Sequence, residues 1–219
     1  MALLYSNAAR AEETALDRLR TCHDVVEEMA ASREDVRGDL LDKARCVVVI
    51  PGVKKGAIGF GARFGWGAAV CRTSKSDGPW GAPLMVSLKG GSFGLQIGGQ
   101  STDLLLLVMG RKGMEQLLKS KFTLGADASV AGGPVGRHAE AATDATMHAE
   151  ILSYSYSRGL FAGISLEGAS LAQDHKGNEV VYGARVKAEE VLLKQGWSVP
   201  VAGRGLVETL QRLSPSRKD

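Results

Sequence analysis

Asp127, His138, Asp144, His148 and Glu150 form the His/carboxylate cluster of this sequence that could do chemistry. Such side chains can hold a metal ion or serve as general acid and base when they converge. Their intervals suit neither a His-x-x-x-His helix nor a calcium-binding loop. His148 and Glu150 share strand parity, which fits polar residues on a half-exposed strand. A metal-dependent hydrolase built on His138, Asp144, His148 and Glu150 therefore stands only as a distant alternative. Ser157 and Ser165 are the candidate nucleophiles. Gly163-Ile-Ser165-Leu-Glu167 lacks the second glycine of a nucleophile elbow and runs on through a strand pattern. The expectation is a non-enzymatic chain with no catalytic residues, no metal and no cofactor.

The cations have more to offer. Lys54 and Lys55 lie in a turn pattern, and Arg63 stands alone in a row of glycines. Arg111 and Lys112 open a helix, and Arg137 and Arg158 fall in turns. Turn positions far apart in sequence can gather at one end of a β-domain. Each cation near an anionic bilayer contributes roughly 1 kcal/mol, so several would give reversible docking. Lys54, Lys55, Arg63, Arg111, Lys112, Arg137 and Arg158 are thus the candidate lipid-binding residues. The formal charge of +3 permits an acidic partner without demanding one. No aromatic-and-basic RNA motif and no zinc-finger spacing occurs, so nucleic acid is not expected.

These residues need elements to hold them. At 219 residues, 44% hydrophobic and 23% charged, the chain suits one globular domain. No apolar run reaches the roughly 20 residues of a spanning helix. Ala9–Ala30 has helical spacing, with Leu16, Leu19, Cys22, Val26 and Met29 on one stripe. Ser32 can cap a second helix running to about Ala44. Cys46–Ile50 reads as a buried strand that Pro51-Gly52 ends.

From Gly56 to Cys71 the residues alternate. Ile58, Phe60, Ala62, Phe64, Trp66, Ala68 and Val70 form a bulky set, and the other set is mostly glycine and alanine. The glycines imply sharp coiling of the sheet, close approach of another backbone, or a turn at Gly65. A phosphate loop is disfavoured, because no Gly-Lys-Ser/Thr opens a helix there. Leu84–Leu88 alternates before Gly90-Gly91 turns the chain. Phe93–Gly98 alternates again, and Thr102–Met109 is a strand buried on both faces. Arg111–Ser120 is helical, Leu124–Val130 alternates, and Met147–Tyr156 with Leu160–Gly168 forms a hairpin. Asp174–Gly177 reads as a loop, with short helices over Ala188–Gln195 and Gly205–Leu213.

The fold class expected is α+β. It is a strongly curved or closed, mainly antiparallel, Gly-rich sheet, barrel-like, with N- and C-terminal helices and one inserted helix. One domain spans residues 1–219, with N-terminal helices over 9–44 and a C-terminal helical tail over 187–219. Cys46 and Cys71 fall in strand patterns that a hairpin could bring together. A bridge and two buried thiols both stay open on the residues alone. Cys22 sits on the apolar side of its helix and belongs to the core.

Two stretches resemble the SYLF domain family: Gly90-Gly-Ser-Phe-Gly-Leu-Gln-Ile-Gly-Gly-Gln100, and a second that begins Leu124-Gly-Ala-Asp-Ala-Ser-Val-Ala-Gly-Gly-Pro-Val-Gly-Arg137 and continues through Tyr154-Ser-Tyr-Ser-Arg-Gly-Leu-Phe-Ala-Gly-Ile-Ser-Leu-Glu-Gly168. Cys46–Val53 is similar to the family's Val/Ile-rich strand ending in proline and a basic turn. The resemblance covers about 39–182. It implies non-enzymatic binding of phosphoinositides or other anionic lipids at the membrane surface. The alternative is a protein-interaction or scaffolding domain, actin-linked or self-associating. The chain resembles a stand-alone member of the bacterial type, which weakens the expectation of actin partners. Exported bacterial relatives favour a Cys46–Cys71 bridge. The location expected is cytoplasmic or membrane-peripheral, and periplasmic or secreted if an export signal was removed.

Overall fold

The structure, a computed structural model, describes residues 2–31, 38–58, 60–73, 78–92, 100–135, 148–157, 160–194 and 196–216. Helix α1 spans Ala2–Ala31 and α2 spans Gly38–Lys43. Strands follow at β1 (Cys46–Ile58), β2 (Phe60–Cys71), β3 (Leu84–Ser92) and β4 (Gln100–Val108). After α3 (Arg111–Leu117) come β5 (Lys121–Thr123), β6 (Val130–Gly132), β7 (Ile151–Ser157), β8 (Leu160–Gly163) and β9 (Ser170–Gln173). Helices α4 (His175–Tyr182), α5 (Ala188–Leu193) and α6 (Arg204–Leu213) close the chain.

The strands form one sheet in the order β5-β9-β3-β2-β1-β4-β7-β6, with β8 beside β7. It curls into a half-barrel, so the expected curvature is present and the sheet stays open. Every pairing is antiparallel except β6 with β7. Both faces are covered, which explains why Leu104–Val108 is apolar at every position. Val48, Ile50, Leu88, Leu104 and Leu106 face inward, onto Leu124, Leu166, Val191 and Leu192. Val47, Val49, Val70, Leu105, Leu107 and Tyr154 face outward, under α1 and α6 through Leu19, Cys22, Val26, Leu206 and Leu210. Each large apolar side chain so buried stabilises the fold by roughly 1.5–3 kcal/mol relative to exposure.

Several boundaries differ from the sequence expectation, each for a physical reason. Pro51-Gly52 does not end β1. The strand bulges there, its register shifting between Val49 and Lys54, and runs on to Ile58. Gly52 has φ 56°, a conformation glycine tolerates without a Cβ clash. The hairpin reverses between Ile58 and Phe60, not at Gly65. Gly65 and Gly67 lie within β2 because β1 passes over them. A Cβ on Gly67 would meet the Val49 carbonyl oxygen and the Ile50 Cα. Gly90-Gly91 continues β3, with Gly90 packed on Ala169. Leu124–Ser129 is a connection rather than a strand, and β6 begins at Val130. Asp174–Gly177 opens α4 instead of forming a loop, since the Asp174 carboxylate accepts the Gly177 amide as an N-cap. The expected Ser32 cap and the Phe93–Gly98 strand lie outside the described residues. The β7–β8 hairpin is present, with Ser157 opposite Leu160, but β8 ends at Gly163 and residues 164–168 form a connection where strand was expected.

Candidate functional site

Helix α1 crosses the outer face of the sheet rather than following a strand. Arg18 pairs with Asp174 beyond β9 at 2.9 Å, the Cys22 thiol points to the Val49 carbonyl on β1 at 3.6 Å, and Glu28 meets the Tyr156 hydroxyl on β7 at 3.3 Å. A helix about 10 Å wide covers only about three residues of each strand it crosses. On β2 it covers Ala68 and Val70, which are buried, and leaves Trp66 and Phe64 bare at 42% and 38% exposure.

A cleft of about 420 Å³ results beside α1. Arg18 and Thr21 form its wall, Pro51, Gly52 and Lys54 come from β1, Phe64 and Trp66 from β2, and Asp103 from β4. Phe64 and Trp66 meet edge-to-face with centroids 5.9 Å apart. Strand register places Lys54 of β1 and Lys89 of β3 directly opposite Phe64, one on each side. Directly opposed residues share a sheet face. The result is a row of lysine, phenylalanine and lysine across three strands, with Trp66 behind it. Both lysines are exposed, and neither has a carboxylate partner among the described residues.

Asp103 accepts the Gly52 amide at 2.7 Å. Burial raises its pKa above the ordinary carboxylate value, against the lowering effect of that hydrogen bond, and the nearby Glu28 charge adds to the rise. Burial and the same Glu28 charge raise the Tyr156 phenol.

The other predicted residues are dispersed. Lys54 lies opposite Ser101 near the start of β4, whereas Arg111 and Lys112 follow the far end of that strand. Arg111 pairs with Glu115 at 2.9 Å. Arg63 turns to the inner side and donates to the Ser165 carbonyl at 3.1 Å. The backbone of Lys55 pairs with Arg63 in register. Arg137 and Arg158 lie outside the described residues. Sequence reasoning placed Phe64 and Trp66 in a bulky stripe and did not single them out as a site. It missed Lys89, whose signal was a lone lysine between Leu88 and Gly90.

Among the described residues no three His, Cys, Asp or Glu side chains converge as a metal site. Glu150 accepts the Gly113 amide of α3 at 2.9 Å, and Asp127 accepts the Thr123 amide at 2.7 Å, so both tie down backbone. His148 is exposed, and His138 and Asp144 lie outside the described residues. Ser165 is exposed in the loop that meets Arg63. Cys46 and Cys71 face each other across β1 and β2 with sulfurs 2.06 Å apart, a disulfide. Cys22 is buried, and burial pushes its thiol up to about 12.

Residues 89–213 match the model of the Ysc84 family, described as Las17-binding protein actin regulator. The chain belongs to that family, in keeping with the SYLF resemblance of its glycine-rich stretches. It is similar to LAS seventeen-binding protein 3 of Saccharomyces cerevisiae, 34% identical over 157 residues, 70% of this chain and 34% of that protein. Protein YSC84 of the same yeast is 31% identical over 175 residues, covering 78% and 36%. The human SH3 domain-containing YSC84-like protein 1 is 33% identical over 154 residues, covering 70% and 44%. The match thus spans about a third to under half of the length of each of these relatives.

Proposed function

We propose that this chain is a non-enzymatic protein-interaction domain serving actin regulation. Family membership across residues 89–213 is the observation that carries the reading, since the family description names both Las17 binding and actin regulation. The fold suits the role. A sheet covered on both faces is a rigid platform, and its exposed aromatic cleft is the kind of surface that protein partners bury. Binding of anionic lipids, the reading the turn cations suggested, has less behind it, because Lys54 and the Arg111–Lys112 pair stand at opposite ends of β4.

The test is co-sedimentation of the purified domain with actin filaments, alongside capture on immobilised yeast Las17. Retention by either probe at micromolar concentration is expected. Retention by neither would refute the proposal. No turnover of generic ester or phosphoester substrates is expected, and turnover that survives purification to homogeneity would count against it.

A further inference from the structure

The row across β1, β2 and β3 has a definite chemistry. Phe64 sits between two exposed lysines, Lys54 and Lys89, each directly opposite it in register. Neighbouring strands lie about 4.8 Å apart, so the two lysine Cα atoms are separated by roughly 10 Å. Trp66 extends the apolar floor toward α1, and Arg18 stands in the wall. Asp103, the one carboxylate among the described residues lining the cleft, is already engaged by the Gly52 amide. An apolar floor flanked by cations calls for an apolar group flanked by anions.

Resting on the protein-interaction reading, we infer that the Lys54–Phe64–Lys89 row and Trp66 form a docking groove for an acidic peptide segment of a partner protein, one that seats an apolar side chain on the two rings between carboxylates. Roughly 10 Å equals about two turns of helix or three residues of extended chain. The carboxylates therefore stand about seven positions apart in a helical partner, or about four in an extended one, where alternate side chains share a face. Concavity selects a peptide over a bilayer. The rings lie on the floor of a cleft walled by α1, where a flat membrane surface cannot follow. An aromatic pair with a lysine on either side supplies the buried anchor and the polar rim of an ordinary protein interface.

The test pans a random twelve-residue phage-displayed library on the full chain, with Trp66→Ala as the counter-selection. Enriched sequences are expected to carry a leucine or aromatic residue flanked by aspartate or glutamate. A synthetic enriched peptide should bind at least about tenfold more weakly to Trp66→Ala and to the Lys54→Glu, Lys89→Glu double variant. It should also weaken as salt is raised. Both variants alter exposed positions, and circular dichroism melts confirm that they fold. A basic consensus, no enrichment over Trp66→Ala, or affinity unchanged in both variants overturns the inference. Binding of phosphatidylserine vesicles that is lost in Trp66→Ala, without peptide enrichment, also overturns it and assigns the groove to a membrane. Failure of the underlying reading looks different. There the unaltered chain binds neither filaments nor Las17, whereas filament or Las17 binding kept in full by Trp66→Ala rejects the groove alone.

Discussion

The carboxylate of Asp103 on β4 accepts a 2.7 Å hydrogen bond from the amide of Gly52, the residue at which β1 bulges. Pro51 has no N–H to offer the ladder, and the bulge turns the next amide out of it. Asp103 takes up that amide. The bond lets β1 continue past the bulge and carry Lys54 into register with Phe64. The cleft and the strand irregularity are thus one feature.

The burial of Asp103 predicts a pH dependence. Burial lifts the Asp103 pKa in the folded chain above its unfolded value, so ionised Asp103 opposes folding. Its contribution is most favourable below the unfolded pKa of about 3.9 and is lost as pH rises through the higher folded pKa. Asp103→Asn keeps an acceptor for Gly52 and removes the charge. Its stability at pH 7 should equal or exceed that of the unaltered chain, with the difference shrinking toward pH 4. Asp103→Ala orphans the amide and should cost about 1–2 kcal/mol at both pH values. Urea titrations at the two pH values measure this, and an Asn variant weaker at pH 7 than at pH 4 would contradict it.

The glycines of β2 and β3 separate by what lies above them. A Cβ on Gly67 would fall 1.8 Å from the Val49 carbonyl oxygen, and backbone cannot step aside. Gly67→Ala should cost about 3 kcal/mol or more, or leave the protein insoluble. A Cβ on Gly91 meets nothing within 4 Å. Gly91→Ala should be neutral or slightly stabilising, by less than about 1 kcal/mol. Thermal melts of the two variants in parallel decide the matter.

The cysteines should respond differently to alkylation. Cys46 and Cys71 are joined, and Cys22 is buried with its thiol pushed up to about 12. Iodoacetamide should leave the native protein unmodified. Unfolding without reductant should label Cys22 alone, and reduction should release all three. The bridge closes a separation of 25 residues, so its removal in a Cys46→Ala, Cys71→Ala variant should cost about 3 kcal/mol. Mass spectrometry and urea titration read the two effects.

Local pattern disclosed much of this fold. Helical spacing from Leu16 to Met29 announced α1, and unbroken apolarity from Leu104 to Val108 announced a strand covered twice. The α+β class and the curled glycine-rich sheet followed from such signals. Register was not readable, because it depends on the bulge at Gly52, and that bulge depends on Asp103 some fifty positions later. For the same reason the union of Lys54, Phe64 and Lys89 was hidden. Nothing local reveals that α1 crosses β2 at Ala68 and leaves Trp66 uncovered. Of the three options the glycine row left open, close approach of a neighbouring strand holds at Gly65 and Gly67 and the turn at Gly65 does not, while Gly90, read as a turn, packs on Ala169 within β3.

The separation of the predicted cations yields the last expectation. Lys54 stands opposite Ser101, and Arg111 follows Val108, the last residue of the same strand. Seven residues of extended chain span about 23 Å, nearly three Debye lengths at physiological salt. The two groups therefore act on an anionic surface independently, each adding its own contribution instead of forming one basic patch. Arg111 is further committed to Glu115. Affinity for phosphatidylserine vesicles should accordingly be weak and abolished by moderate salt. At low salt, Lys54→Glu with Lys89→Glu should weaken whatever binding exists by about 1 kcal/mol per cation, as should Arg111→Glu with Lys112→Glu if that end makes the contact. The effects of the two pairs should add without coupling. Co-sedimentation at two ionic strengths checks this, and tight binding in which the two pairs couple far beyond additivity would require a single basic surface that Lys54 and Arg111 do not form here.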